Sequence, residues 1–357
     1  MDRGFGRRYG EPREQASPRL PIVSSATVLV TGAAGFIGAA VAERLLHRGD
    51  AVIGIDRLDD YYDVALKNAR RARVSRAGGE RFSFLELDFA NLASLEAELD
   101  DLRFDAIVHL GAQPGVRYSI DHPLVYAHSN LVGHLNMLEL ARRREVRHMV
   151  YASSSSVYGN NAKVPFAVDD RVDHPVSLYA ATKKADELMS EAYAHLYAVP
   201  LTGLRFFTVY GPWGRPDMMP WIFTSKIFAG QPIPVFNHGR MSRDFTFIDD
   251  IVDGVIAALD RPPQDDGQAK AGGSTSPHAI YNIGNNRSES LLRFIELLEV
   301  SCGRTAQMEF RPMQSGDVER TYADIDAIQR DLGYRPRTTI EQGIPAFVQW
   351  YREYHGI

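Results

Sequence analysis

The chain has 357 residues, 45% of them hydrophobic and 24% charged, an ordinary globular composition with length for about two domains or one large α/β unit. Forty Lys and Arg against 45 Asp and Glu leave a net charge of −5, which argues against a dedicated nucleic-acid binder. The single cysteine, Cys302, excludes an intrachain disulfide framework and a cysteine-cluster metal site, and no apolar run reaches the length of a membrane span.

Residues 1–25 read as a disordered tail: Asp2 to Arg19 holds five arginines and two prolines, with no apolar stretch of the kind a secretory signal needs. From Ala26 the pattern alternates. TVLVT (27–31) reads as a buried strand, and a helix follows with Ile37, Val41 and Leu45 on one face and Gly49 at its end. Further strands are expected at 51–55, 82–88, 105–112, 148–155 and 201–205, with helices over about 91–102, 124–144 and 177–197. Such alternation implies a parallel sheet covered on both faces, with ligands at the carboxyl edge of the strands. Later segments, 208–239 and 263–357, depart from it and read mainly as a smaller, discontinuous substrate domain, while 240–262 returns to the sheet domain of 26–207. Pro262 to Pro277 is a surface loop, followed by a strand at Tyr281–Ile283.

The first strand and helix enclose Thr31-Gly32-Ala33-Ala34-Gly35-Phe36-Ile37-Gly38. Gly32 permits a tight turn, Gly35 lets a pyrophosphate approach the backbone, and Gly38 lets helix and strand pack closely. The helix N-terminus presents unpaired N–H groups to phosphate. Asp56 closes the second strand, where a carboxylate accepts both ribose hydroxyls and repels a 2′-phosphate, so NAD is favoured over NADP even with Arg57 beside it. The fold class is therefore α/β, a Rossmann-type doubly wound parallel sheet. Phe36, Ile37, Asp88, Phe89, Leu110, Ala112 and Asn130 join the expected cofactor contacts.

Spacing of the form TGxxGxxG resembles the short-chain dehydrogenase/reductase family, and that resemblance demands a Tyr-x-x-x-Lys downstream. Tyr179 and Lys183 supply it, four apart and so on one helix face. A nearby Lys⁺ and the positive nicotinamide ring favour the phenolate, which takes a proton from a substrate hydroxyl as hydride leaves carbon. Ser154, in the Ser153–Ser156 run before Val157-Tyr158-Gly159, matches the hydroxyl that hydrogen-bonds the reacting oxygen.

From Ala26 to Tyr354 the chain resembles the extended, nucleotide-sugar-modifying NAD-dependent epimerase/dehydratase branch of that family, with the UDP-glucuronate 4-epimerases nearest. Ile55-Asp56 through Tyr62-Asp63, Gly115–Ser119, His174–Tyr179, 204–218 and 243–251 carry the likeness. It departs at Arg57, Arg71 and Glu319. The resemblance implies hydride removal and return at sugar carbon 4 through a 4-keto intermediate, interconverting UDP-glucuronate and UDP-galacturonate. Ser155, Ser156 and Thr208 would hold the sugar carboxylate, Arg117 would lie above the sugar, Arg215 and Arg243 would meet the nucleotide diphosphate, and Gln314 and Asp317 the ribose. Related decarboxylases carry glutamate at the Ser156 position, dehydratases carry Asp-Glu at Ser155-Ser156, and neutral-sugar enzymes usually carry Asn at Thr208. A UDP-glucuronate decarboxylase, a neutral UDP-sugar 4-epimerase and a non-catalytic NAD-binding scaffold are the alternatives. No metal site, nucleic acid or membrane is expected. The resemblance also implies a cytoplasmic homodimer joined through two long helices per subunit.

Overall fold

The β-branched run Thr27–Thr31 forms β1, buried along nearly its whole length, and Phe36–Arg48 forms α1. The computed structural model describes residues 26–314 and 318–357, so the expected tail and Asp317 lie outside the described residues. The chain continues through β2 (Ala51–Asp56), α2 (Val64–Gly78), β3 (Phe82–Glu86), α3 (Leu92–Leu99), β4 (Ala106–His109) and the short α4 (Tyr118–Asp121) and α5 (Pro123–Tyr126). Then come α6 (Gly133–Arg143), β5 (His148–Ser154), α7 (Leu178–Tyr197), β6 (Leu201–Phe206), β7 (Thr208–Tyr210), α8 (Met219–Ala229), β8 (Ile233–Val235), β9 (Ser242–Arg243) and β10 (Phe245–Phe247). The remainder is α9 (Ile248–Leu259), β11 (His278–Ile283), β12 (Glu289–Ser290), α10 (Leu291–Cys302), β13 (Met308–Phe310), α11 (Asp326–Leu332) and α12 (Ile340–His355).

Seven parallel strands form the central sheet in the order β11-β6-β5-β4-β1-β2-β3. The chain leaves β1 toward β2 on one side and reaches β4 on the other. A crevice therefore opens between the carboxyl ends of β1 and β4, where this class of sheet binds ligands. The central strands are covered on both faces, whereas the edge strand β3 is only partly buried. Val28 and Val30 enter one buried cluster while Leu29, between them, enters the other, as the two-residue period of a pleated strand requires.

Several boundaries and placements differ from the sequence expectations. The strands expected over 82–88 and 105–112 end at Glu86 and His109, and Leu87 N still donates to the carbonyl of Asp56 at the end of β2 at 3.0 Å. The helix expected over 124–144 is α5, a π-wound Ala127–Val132 and α6 in succession. The 243–251 segment carries β10 and the start of α9. Its β10 pairs with β7 in a separate two-stranded ribbon, and α9 packs against α1 and β5. His278–Ile283, grouped by sequence with the smaller lobe, is instead the edge strand of the central sheet, in register with Leu201–Phe206. Among the described residues no helix is long and apolar enough to cross a membrane.

Candidate cofactor and substrate cleft

A cleft of about 780 Å³ lies along the carboxyl ends of the strands. At one end is the β1–α1 loop. Gly32 has φ +70°, and a Cβ on Gly38 would lie 2.0 Å from the Gly32 carbonyl oxygen, so neither position admits a side chain without moving the loop. Gly35 caps α1 with no side-chain cap, which leaves the first backbone N–H groups of the helix facing the cleft. Asp56 ends β2 with Oδ2 accepting from Ala34 N (3.1 Å) and Oδ1 from Leu58 N (2.9 Å). Burial raises its pKa above the ordinary carboxylate range, and those two N–H groups and Lys67 offset part of the rise. Its oxygens keep lone pairs for ribose hydroxyls. Gly32, Gly35, Phe36, Ile37, Gly38, Asp56, Asp88, Phe89, Leu110 and Ala112 all line the cleft, as expected. Arg57 is turned onto Asp59 (3.0 Å) and Asp88 (3.6 Å), so a 2′-phosphate would have to compete with two carboxylates for it. This donor set fits a nicotinamide dinucleotide.

Asn130 is a correction. It is buried and does not line the cleft. Its amide oxygen accepts from Gln113 N at 2.8 Å, and its amide nitrogen donates to Gln113 O and to Thr182 Oγ1 at 3.0 Å. It ties the loop after β4 to α7 and acts on the cleft through them.

The serine run resolves by strand alternation. Ser153 points away and donates to buried Glu187 at 2.7 Å. Ser154 faces the cleft, where its hydroxyl accepts from Ser156 N and donates to Ser156 Oγ, both at 3.1 Å. Ser155 and Ser156 line the same wall, with Thr208 at the start of β7. Helix α7 begins when Ser177 Oγ accepts from Ala180 N at 3.1 Å, a side-chain N-cap, and so presents Tyr179 and Lys183 to the cleft. Tyr179 packs edge-on against Tyr126, ring centroids 6.1 Å apart. Lys183 Nζ donates to Ala152 O at 3.0 Å and to Asp186 Oδ2 at 3.1 Å.

Three expected arginines also line the cleft. Arg215 pairs with Asp217, Nε to Oδ1 at 2.9 Å, and Tyr61 Oη donates to the same carboxylate at 3.0 Å. Arg117 stands over the Phe236 ring at 5.5 Å. Arg243 donates to Ser242 O (2.9 Å) and Glu319 O (3.0 Å). Behind Arg243, buried Asp244 accepts from Asn285 N (2.6 Å) and Ala323 N (3.1 Å), tying that strand to both neighbouring loops. Gln314 is half-buried and is not among the residues lining the cleft. Sequence reasoning passed over Asp217, Tyr61 and Phe236. All three flank the quoted arginines, and a search for partners that orient those arginines would have found Asp217 two residues from Arg215.

Residues 28–284 match the model of the NAD dependent epimerase/dehydratase family. The chain belongs to this family. It is therefore an NAD-dependent enzyme. A probable UDP-glucuronate 4-epimerase of Rhizobium meliloti is 46% identical over 329 residues, 90% of this chain and 96% of the relative. Protein CapI of Staphylococcus aureus is 46% identical over 333 residues, 92% and 99% of the two chains. The crystal structure of the Bacillus cereus UDP-glucuronic acid 4-epimerase with UDP-glucuronic acid and NAD superposes with a TM-score of 0.79 at 30% identity, covering 92% of this chain and 99% of that one.

Proposed function

We propose that the enzyme interconverts UDP-glucuronate and UDP-galacturonate. One observation carries the reading: beside Tyr179, the wall of the cleft is built from the hydroxyls of Ser154, Ser155, Ser156 and Thr208, with no carboxylate among them. Oxidation at carbon 4 of a uronic acid gives a β-keto acid, which loses carbon dioxide when the carboxylate bond aligns with the ketone π system. Small neutral donors hold that carboxylate out of alignment without adding an acid for elimination. Among the described residues, the four carboxylates that line the cleft are Asp56, Asp59, Asp88 and Asp217, and each is engaged elsewhere: Asp56 by backbone N–H groups, Asp59 by Lys67, Asp88 by His128, Asp217 by Arg215. The relatives named for UDP-glucuronate support the same choice.

The glycine loop of Gly32, Gly35 and Gly38 and the Asp56 carboxylate would hold NAD, which would supply the hydride acceptor and donor for sugar carbon 4. Tyr179 Oη takes the 4-hydroxyl proton and gives it back, with Ser154 Oγ donating to the reacting oxygen. Arg215 and Arg243 hold the nucleotide diphosphate, with Arg117 above the sugar, while the keto sugar turns over to present its other face.

Purified protein incubated with UDP-glucuronate and no added reductant is expected to form UDP-galacturonate, read by proton NMR. Release of a UDP-pentose would replace this reading with decarboxylation. Conversion of UDP-galactose but not of UDP-glucuronate would replace it with a neutral-sugar epimerase.

We also infer a homodimer. The helices from Pro123 to Arg143 and α7 expose apolar side chains in quantity: Leu124 is 82% exposed and Leu188 59%, with Val132, Leu135 and Leu196 beside them. Such a surface on adjacent helices calls for a partner, and a second copy of the same pair gives a four-helix bundle. Light scattering is expected to give twice the chain mass, and Leu188→Glu to give a folded monomer. A wild-type monomer at micromolar concentration would remove the idea.

A further inference from the structure

Two buried acids stand next to one another on α7, and their surroundings differ. Glu187 is fully paired, with both oxygens on Arg205 (2.8 and 3.0 Å) and further bonds from Ser153 and Lys184. Asp186 has a completely buried side chain. One of its oxygens, Oδ2, meets Lys183 Nζ at 3.1 Å, and the other, Oδ1, is buried with no hydrogen-bond partner. A buried carboxylate oxygen without a protein partner is costly. It is relieved when that oxygen carries a proton. We propose that Asp186 is a positioning residue that sets how much positive charge Lys183 presents to Tyr179.

The groups around Asp186 leave Lys183 as its one cationic partner. Glu187 on the same helix repels it. From α6, His134 is fully buried and held neutral, its pKa well below the ordinary value because burial disfavours the charged ring. From β4, His109 is likewise pushed down to about 3 by burial, with the Lys183 charge adding to the effect. From β5, Tyr151 is held un-ionised by burial. The guanidinium of Arg205, from β6, is taken by Glu187. Burial pushes Asp186 itself up to about 7, against the pull of Lys183. Ionised, Asp186 forms a neutral pair with Lys183. Protonated, it leaves the full ammonium charge one helical turn from Tyr179. The Tyr179 phenolate and the Asp186 carboxylate thus compete for one cation, and each ionisation opposes the other.

This inference rests on the reading of Tyr179 as the acid–base group, so its test does not use the sugar. Phenolate absorbance is titrated in the NAD-bound enzyme, and the same titration of Tyr179→Phe is subtracted to isolate Tyr179. In Asp186→Asn the Tyr179 midpoint is expected about one pH unit lower than in wild type, the size of one charge removed at roughly 10 Å in a medium of intermediate dielectric. The acid limb of the pH–kcat profile should move by the same amount, with KM unchanged. Asp186→Ser, also neutral, should show the same shift and guards against a folding defect in either variant alone. Midpoints that coincide with wild type in a folded neutral variant overturn the proposal. A subtraction that leaves no Tyr179 signal below the range of ordinary tyrosines in wild type overturns the acid–base reading instead.

Discussion

Tyr179→Phe is expected to lower kcat for sugar epimerisation about a thousand-fold, the scale of a lost general acid–base group, and to leave NAD binding nearly unchanged. The substitution removes one oxygen. The ring that remains still packs against Tyr126, and Lys183 keeps its bonds to Ala152 O and Asp186. The glycine loop and Asp56, the proposed nucleotide contacts, are on β1, α1 and β2 and do not touch α7 through this oxygen. On the proposed reaction, what is lost is the group that takes the 4-hydroxyl proton in the step that makes the ketone. The reduction of bound NAD by UDP-glucuronate in a single turnover should fall by the same factor, because chemistry rather than release is affected. Fluorescence or calorimetric titration checks NAD affinity on the same sample. Turnover within about tenfold of wild type would remove Tyr179 from its role, and a parallel loss of NAD affinity would assign it to cofactor binding.

Much of this cleft was legible because its chemistry is local in sequence. The glycine loop, Asp56, the Tyr179–Lys183 pair and Ser154 each sit at the junction of one strand with the next element, and strand-then-helix patterning places all such junctions on one edge. The family resemblance singled out Ser154, and the physical reason came with β5 running to Ser154, since the pleat decides which hydroxyl faces Glu187 and which the cleft. Asn130 was misassigned because helix periodicity does not say whether a polar face meets ligand or a neighbouring loop. In the structure it meets Gln113 and Thr182. The strand at 278–283 was grouped with the smaller lobe because a loop of polar residues precedes it. Its pairing with β6 spans more than seventy residues of chain, and sequence spacing carries no record of such a partner. Asp186 was silent for a related reason: an acid beside a lysine on a helix reads as a solvated pair, and only burial makes it otherwise.

Arg205→Leu is expected to destabilise the fold by about 3–5 kcal/mol, the range for breaking a buried ion pair from one side. Arg205 is 3% exposed and Glu187 1%. The guanidinium grips both oxygens of Glu187 and also donates to Tyr158 Oη (3.0 Å) and Val168 O (3.1 Å). Tyr158 in turn donates to Asn282 on the edge strand β11 at 2.6 Å. Leucine fills part of the volume and satisfies none of these groups. The loss should depend on pH in a way that a packing defect does not. In wild type, burial raises Glu187, but its bonds to Arg205 outweigh this and hold it below the ordinary range. A depressed folded pKa contributes stability above the unfolded value, and that contribution is lost only as pH falls. Without Arg205 the burial effect stands against Lys184 and Ser153 alone, the folded pKa rises, and stability then falls as pH rises. Urea unfolding should therefore show a larger deficit for Arg205→Leu at pH 8 than at pH 5. Adding Glu187→Leu should recover part of the deficit and abolish its pH dependence, because the uncompensated charge is gone. The double variant should still turn over more slowly than wild type. The same network anchors the turn that carries Ser155 and Ser156, and Ser153 would lose its acceptor on α7. Equal deficits at the two pH values would mean that Arg205 acts through volume, and that the wall of the cleft is held by packing rather than by this pair.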